Sequence, residues 1–218
     1  MTAGGARVVS TFDELLARLR PAGARRIVGV VGSPGAGKTT LVEALVGALG
    51  PAGVGVAHVP MDGFHLADAE LARLGRLGRK GAPDTFDAAG YAALLGRLRS
   101  PGPAETVYAP AFERELEQPI AGSIAVEPRC ALVLTEGNYL LLDDDDWRPV
   151  REALDEVWFL DADDTLRRRR LVARHVAFGK SPAAAESWVT EVDEPNALLV
   201  AGTRARADLV VAASVLSG

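Results

Sequence analysis

The sequence predicts an α/β fold of three layers, in which a parallel sheet of about five strands lies between two layers of helices. Short apolar segments alternate along the chain with segments of helical pattern, and strands that are connected through helices run parallel. The segment at residues 26–31 is a short apolar run rich in β-branched residues, as in a strand that is covered on both faces. The predicted strands are residues 26–31, 55–59, 131–135, 157–160 and 208–212.

Helical patterns fill most of the chain between these strands. Thr11 and Glu14 have the spacing of a capping box, so we expect a helix that begins there and extends to Arg20. Further helices are predicted at residues 38–49, 88–98, 164–178 and 182–192. Because 218 residues fit one compact domain with insertions, we predict that residues 1–218 form a single domain.

One long segment departs from the regular alternation of strands and helices. Residues 62–126 are rich in glycine, proline and charge, and their one clear helical pattern lies at 88–98. Two short strands are predicted within the segment, at residues 106–108 and 123–126. We interpret the segment as an insertion that faces the substrate.

Composition and charge exclude several classes of protein. The net charge of −5 and the pI of about 5.3 argue against general nucleic-acid binding, which needs a basic surface. No run approaches the roughly 18 apolar residues of a membrane span, so no membrane partner is expected. Cys130 is the only cysteine, which fits a reducing compartment and predicts a cytoplasmic protein. The oligomeric state stays open, with a homodimer as one alternative.

Residues 32–39 match the P-loop pattern G-x-x-x-x-G-K-[ST] at every fixed position and stand between an apolar strand and a helix. Glycines let successive N–H groups point at phosphate oxygens, and the helix adds its positive end. Lys38 is expected to contact the β- and γ-phosphates, and Thr39 to bind Mg²⁺. A glycine-rich turn that binds nothing is the alternative. The predicted nucleotide-binding residues are Gly32, Ser33, Pro34, Gly35, Ala36, Gly37, Lys38, Thr39 and Thr40.

Four further segments follow the P-loop in a fixed order. They read MDGFH at 61–65, RKGAPDTFD at 79–87, EGNYL at 136–140 and TRARADLV at 203–210. In this order they resemble the branch of P-loop kinases that contains uridine kinase, type I pantothenate kinase and phosphoribulokinase. The resemblance extends from about residue 26 to 211. It implies the P-loop NTPase fold and a Mg²⁺-dependent transfer of the γ-phosphate of ATP to a hydroxyl of a small-molecule acceptor.

The resemblance assigns roles to two carboxylates. Asp62 matches the acidic residue that approaches the accepting hydroxyl, where a carboxylate can take the proton as the bond to phosphorus forms. A turn aspartate before Gly63 is the alternative, because Asp-Gly is a common turn pair. Glu136 matches the residue that supports Mg²⁺, for which carboxylate oxygen is a suitable ligand. Its alternative is a carboxylate that the nearby backbone holds at the end of a strand.

The run of four arginines at 167–170 resembles the lid of these kinases, which we place at about residues 163–181. On a helix, Arg170 and Arg174 share a face and are predicted to neutralise charge on the transferred phosphoryl group. Arg167 shares that face, whereas Arg168 and Arg169 are expected to be solvated. The predicted catalytic residues are Asp62, Lys38, Arg170 and Arg174.

The remaining site residues concern the adenine and the acceptor. Arg206, or Arg204 beside it, is a candidate for stacking on adenine, with a plain surface arginine as the alternative. Tyr108 occupies the position where related kinases contact the acceptor, although a packing tyrosine is equally consistent. The predicted substrate-binding residues are Asp62, His65, Lys80 and Tyr108.

The acceptor itself stays open. Residues 80–82 lack the aspartate that holds ribose in uridine kinases, and residues 108–114 lack the Tyr-Ser-His pattern of pantothenate kinase. We expect a nucleoside or a similar compound, with pantothenate or a sugar as alternatives from the same branch. A nucleotide-hydrolysing switch or chaperone is the alternative from another class. The guanine-reading Asn-Lys-x-Asp motif that a GTP-dependent switch would usually carry is absent.

Overall fold

The main sheet of the protein is parallel. The structure is a computed structural model that describes residues 6–20, 23–102 and 104–216. The strands in these residues are β1 Arg7–Val9, β2 Arg26–Val31, β3 Val56–His58, β4 Val107–Glu113, β5 Gln118–Val126, β6 Leu132–Gly137, β7 Glu156–Leu160 and β8 Leu209–Val211. Six of them form the main sheet in the order β1-β8-β7-β2-β6-β3. The predicted fold class is confirmed, and β1 adds a sixth strand at one edge.

Helices cover both faces of this sheet. They are α1 Phe12–Arg18, α2 Lys38–Leu49, α3 Asp68–Arg73, α4 Ala88–Arg99, α5 Arg148–Glu152, α6 Asp164–Ala177, α7 Pro182–Trp188 and α8 Glu194–Ala201. One core joins α1 and α2 to Val28 and Val30 of β2. The other joins α4, α5 and α8 to Ile27 and Val31 of the same strand. Alternate residues of one strand thus enter two cores, which explains why the strand is apolar throughout.

The start of α1 differs from the predicted capping box. Thr11 is the N-cap residue, but its side chain makes no capping hydrogen bond to the backbone. Its hydroxyl instead donates to the carboxylate of Glu14 at 3.2 Å. The spacing therefore located the start of the helix correctly, although the two side chains bond to each other.

The insertion at 62–126 consists of short helices and a β-hairpin. A 3₁₀ helix, Met61–Phe64, follows β3, and α4 packs its apolar face into the core. β4 and β5 pair antiparallel, and both are longer than the predicted strands. The hairpin contacts the 3₁₀ helix closely, because Gly63 leaves no room for a Cβ atom beside the carbonyl group of Pro110. The hairpin therefore helps to position the residue before Gly63, which is Asp62.

The predicted lid region contains α6, and the chain then continues through two further helices. Residues 182–192 were predicted as one helix, whereas α7 is followed by a π-helix, Val189–Asp193, that leads into α8. A π-helix turns the following residues relative to a regular α-helix and is frequent at functional sites. Across the described ranges, every helix is too short or too polar to cross a bilayer.

Candidate active site

The predicted phosphate and acceptor residues meet at the carboxyl edge of the main sheet. The P-loop follows β2, Glu136 lies opposite Val30 near the end of β6, and Asp62 follows β3. Lys38, Thr39, Asp62 and Glu136 line a cavity of about 840 Å³. This is the edge at which open α/β sheets bind ligands, and the volume is in the range of small-molecule sites.

The P-loop has the backbone geometry that its glycines predict. Gly35 and Gly37 have φ angles of +78° and +98°, a region that other residues rarely adopt. A Cβ atom on Gly35 would also lie 2.8 Å from the carbonyl oxygen of Arg167 in α6. The arginine-bearing helix is therefore packed directly on the P-loop, so a phosphate bound in the loop would lie below the predicted lid.

Lys38 is held inside the P-loop. Its Nζ atom donates to the carbonyl oxygen of Gly32 at 2.9 Å and to Oδ1 of Asn138 at 2.7 Å. Burial lowers the pKa of Lys38, an effect that the charges of Glu136 and Asp62 oppose. Asn138 was not predicted as a site residue, although it lies in the EGNYL segment at 136–140.

Thr39 and Glu136 form a pair at the base of the cavity. The Thr39 hydroxyl donates to Oε1 of Glu136 at 3.1 Å, and Glu136 is almost completely buried. Burial, reinforced by the nearby charge of Asp62, raises the pKa of Glu136 to about 7, while Lys38 acts in the opposite direction. One hydroxyl and one or two carboxylates beside a phosphate site fit Mg²⁺, which takes few protein ligands and fills the rest with phosphate and water.

Asp62 lies at the boundary between the P-loop and the insertion. It occupies the 3₁₀ helix Met61–Phe64, faces the cavity and has its side chain 31% exposed. Its Oδ2 atom is 3.4 Å from Nη2 of Arg114, which directly follows β4. Arg114 was not predicted. It lies in the 108–114 segment, and no local pattern links it to a carboxylate 52 positions away.

The lid arginines fall into two groups. Arg170 and Arg174 both line the cavity, as the helical spacing predicts. Arg167 is 2% exposed, with its guanidinium 2.6 Å from Glu194 of α8, so it fixes α6 to the domain. Arg168 is exposed and pairs with the same glutamate, and Arg169 is exposed.

The acceptor side of the cavity contains two of the predicted substrate residues besides Asp62. His65 lies between the rings of Phe86 and Phe112, with ring centroids 4.0 and 4.9 Å away. Burial lowers the pKa of His65 to about 4, so the ring is neutral near pH 7. Lys80 is 2.7 Å from Asp68, and its ammonium lies 5.4 Å from the Phe112 ring centroid.

His175 and the π-helix form a further part of the wall. The His175 ring lies 2.8 Å from Asp193, and both residues line the cavity. His175 was not among the predicted site residues, although it directly follows Arg174 in the chain. Asp193 was missed because the π-helix that turns it inward has no sequence signal.

Two of the predicted site residues beyond the P-loop lie outside the cavity. Tyr108 is 60% exposed on the hairpin, where it pairs across to Ala125. Arg206 forms an ion pair with Asp143 at 2.8 Å, ahead of β8. The structure therefore brings neither the predicted acceptor contact of Tyr108 nor the predicted adenine contact of Arg206 to this site. Arg204 likewise pairs with an aspartate at the end of β7, Asp161.

A family profile and several known proteins are similar to this chain. The profile described as methylmalonyl Co-A mutase-associated GTPase MeaB matches residues 4–65, which contain the P-loop. An ATP-dependent kinase-like protein of Aspergillus versicolor is 37% identical over 145 residues, which cover 63% of this chain and 84% of the relative. A candidate uridine kinase of Schizosaccharomyces pombe is 34% identical over 180 residues, or 78% and 76% of the two chains.

A solved structure extends the similarity over nearly the whole fold. The crystal structure of a candidate fructose transport system kinase from Silicibacter sp. TM1040 superposes with a TM-score of 0.81 at 38% identity. The superposition covers 91% of this chain and 95% of that one. Together with the kinase relatives, it shows that the chain belongs to the P-loop kinases of the uridine kinase-like branch. These relatives carry kinase names, and the resemblance seen in the sequence is confirmed.

Proposed function

We propose that the protein is an ATP- and Mg²⁺-dependent kinase that transfers the γ-phosphate to a hydroxyl group of a small metabolite. The observation that carries the proposal is one cavity that is lined both by the P-loop and by Asp62. The volume of about 840 Å³ is sufficient for a triphosphate and a small acceptor together. The kinase names of the relatives are consistent with this reaction.

The residues of the cavity would divide the reaction between them. The P-loop N–H groups and Lys38 would hold the triphosphate, and Arg170 and Arg174 would offset charge on the transferred group. Thr39 and Glu136 would hold Mg²⁺, which supplies charge neutralisation at the phosphate oxygens when it is bound.

Asp62 would accept the proton of the acceptor hydroxyl. The hydroxyl oxygen forms the new bond to the γ-phosphorus, and the bond from this phosphorus to the β–γ bridging oxygen breaks. ADP leaves with that electron pair. Because the transition state carries little new bonding, positioning of the hydroxyl by Asp62 is as important as its basicity.

The acceptor is proposed to be a nucleoside or a similar polyhydroxy compound, with or without a phosphate group, and a sugar or pantothenate is the alternative. The names of the relatives point to uridine in one case and to fructose in another. The cytoplasmic location and the homodimer stay predictions from the sequence.

The nucleotide-hydrolysing switch remains the second candidate, because the matched GTPase profile covers residues 4–65. That segment contains the P-loop, which switches and kinases share. The hairpin and the lid, which complete the acceptor side of the cavity, lie outside the matched segment. Their contribution to the cavity favours a second substrate over water alone.

The Asp62→Asn variant tests the proposal. The substitution keeps size and shape, so folding and Mg-ATP binding should persist, whereas turnover should fall by roughly 10²–10⁴-fold. Asp145→Asn is the matched control, because Asp145 is almost fully exposed and pairs only with Arg148 among the described residues. Turnover is measured as ADP release with an acceptor panel of nucleosides, sugars and pantothenate. A folded, ATP-binding Asp62→Asn enzyme with undiminished turnover would refute the role of Asp62.

A further inference from the structure

Arg114 occupies the end of the cavity where the acceptor hydroxyl must lie. It directly follows β4, and the contact of Gly63 with Pro110 fixes the hairpin against the helix of Asp62. Its side chain is 41% exposed and its guanidinium carbon lies 5.9 Å from the Phe112 ring centroid. Arg114 lines the cavity, so its partly exposed guanidinium is available to a ligand there.

Most of the donors of Arg114 are unused. In the part of the chain that the structure describes, its one polar contact is Nη2 to Oδ2 of Asp62, at 3.4 Å. This is a single long contact, whereas arginine and a carboxylate commonly form two parallel bonds of about 2.7–2.9 Å. The neighbouring cation, Lys80, is by contrast satisfied by Asp68 and by the carbonyl oxygen of Glu117.

Two of the other cavity cations lie at the P-loop, and the ammonium of Lys180 lies over the Trp188 ring, 4.4 Å from its centroid. Lys38 lies in the P-loop, and a Cβ atom on Gly37 would be 3.6 Å from Nη1 of Arg170. Arg174 lies one helical turn further along α6 on the same face. Arg114 is carried by the hairpin instead, beside the proposed base. A planar, always-charged fork in this position matches a carboxylate or a phosphate.

We propose that Arg114 recognises an anionic group on the acceptor, so that the substrate class is a hydroxyl compound bearing a carboxylate or a phosphate. This inference rests on the proposed kinase function. An anion that takes the guanidinium would also release Oδ2 of Asp62 for the accepting hydroxyl. Acceptor charge would thus both bind the substrate and free the base.

Matched acceptor pairs test this inference directly. The pairs are glycerol with glycerate, pantothenol with pantothenate, ribose with ribose 5-phosphate, and uridine with its 5′-monophosphate. Phosphorylation is measured as kcat/KM by ADP release, and binding is measured by calorimetry on the Mg-ADP-loaded protein. In at least one pair the anionic member should be preferred by about 10-fold or more, and the preferred pairs distinguish carboxylate from phosphate.

Variants of Arg114 separate recognition from folding. Arg114→Met should lower kcat/KM for the preferred anion by about 10- to 100-fold, the usual effect of hydrogen bonds to a charged group. For the neutral member of the same acceptor pair, kcat/KM should change less than about threefold in Arg114→Met. Arg114→Lys should retain part of the preference for the anionic member. Arg97→Met is the control, because Arg97 pairs with Glu105 on the surface. All variants should keep the thermal shift with Mg-ATP.

Two results would overturn the inference. One is that no pair shows a charge preference in binding or turnover. The other is that Arg114→Met lowers both members of a pair equally. If either result is found while neutral acceptors are phosphorylated, the kinase function stands and only the role of Arg114 is refuted. If Mg-ATP does not raise the melting temperature of the protein at all, the kinase function itself is refuted.

Discussion

Gly35→Ala is expected to damage the docking of the lid on the P-loop. Gly35 has a φ angle of +78°, where an alanine costs roughly 1–2 kcal/mol. The new Cβ would lie 2.8 Å from the carbonyl oxygen of Arg167 and 2.9 Å from the Leu171 side chain, so α6 must move. Overpacking of this kind costs roughly 1–3 kcal/mol. The two effects together predict a loss of about 2–5 kcal/mol.

For a chain of this size, such a loss lowers the melting temperature by roughly 4–20 °C. Gly47→Ala is the matched control, because Gly47 lies inside α2 with nothing within 4 Å of its Cβ position. Alanine should stabilise the helix there by about 0.5–1 kcal/mol. Thermal denaturation with and without Mg-ATP measures both variants. If Gly35→Ala melts like the parent, binds Mg-ATP equally well and keeps full turnover, the packing of α6 on the P-loop has no functional importance.

Three further predictions follow from the site. Mg-ATP at a hundredfold its dissociation constant should stabilise the protein by about 2.7 kcal/mol, which raises the melting temperature by on the order of 5–10 °C. Lys38→Ala should remove most of this shift. A variant that keeps the full shift would contradict the role of Lys38. Arg170→Ala or Arg174→Ala should lower turnover by on the order of 10³-fold with little effect on ATP binding. Arg169→Ala, on the exposed side of the helix, should leave turnover unchanged. Normal turnover in Arg170→Ala and in Arg174→Ala would show that the helix face they share is merely solvated. The pKa of His65 is about 4 in the folded protein, below the value of 6.5 for an unfolded chain. The neutral ring therefore contributes its full stability above pH 6.5, and this contribution is lost as the pH falls to 4. Urea denaturation measures the free energy of unfolding of the parent and of His65→Phe. The value for the parent minus that for the variant should fall by about 3 kcal/mol between pH 6.5 and pH 4. A difference that does not change with pH would show that the ring is not buried as neutral imidazole.

Local patterns gave the parts of the site that depend on neighbouring residues. The P-loop could be predicted because its glycines, Lys38 and Thr39 are adjacent in the chain and act through backbone geometry. Arg170 and Arg174 could be placed on one face because helical spacing fixes their direction. The strands β2, β6, β7 and β8 were visible because burial on both faces makes them largely apolar. The strand β3 was also predicted, although it lies at the edge of the sheet and is half-buried.

Features that depend on tertiary contacts could not be predicted. β1 has three residues, two of them exposed, which is too short for a periodic signal. The contact of Arg114 with Asp62 joins residues 52 positions apart, through a hairpin whose position depends on packing. Arg206 resembled an adenine contact in the sequence, but its charge pairs with Asp143, which no local pattern connects to it.

The central claim is that the γ-phosphate moves to an organic hydroxyl and not to water. The most direct measurement follows the label from [γ-³²P]ATP in the parent protein with Mg²⁺ and each member of the acceptor pairs. The products are separated by thin-layer chromatography and identified by mass spectrometry. We predict label in a phosphorylated acceptor, formed much faster than inorganic phosphate and greatly reduced in Asp62→Asn. Label that appears only in inorganic phosphate, at a slow rate that no acceptor changes, would contradict the kinase and favour a nucleotide-hydrolysing switch.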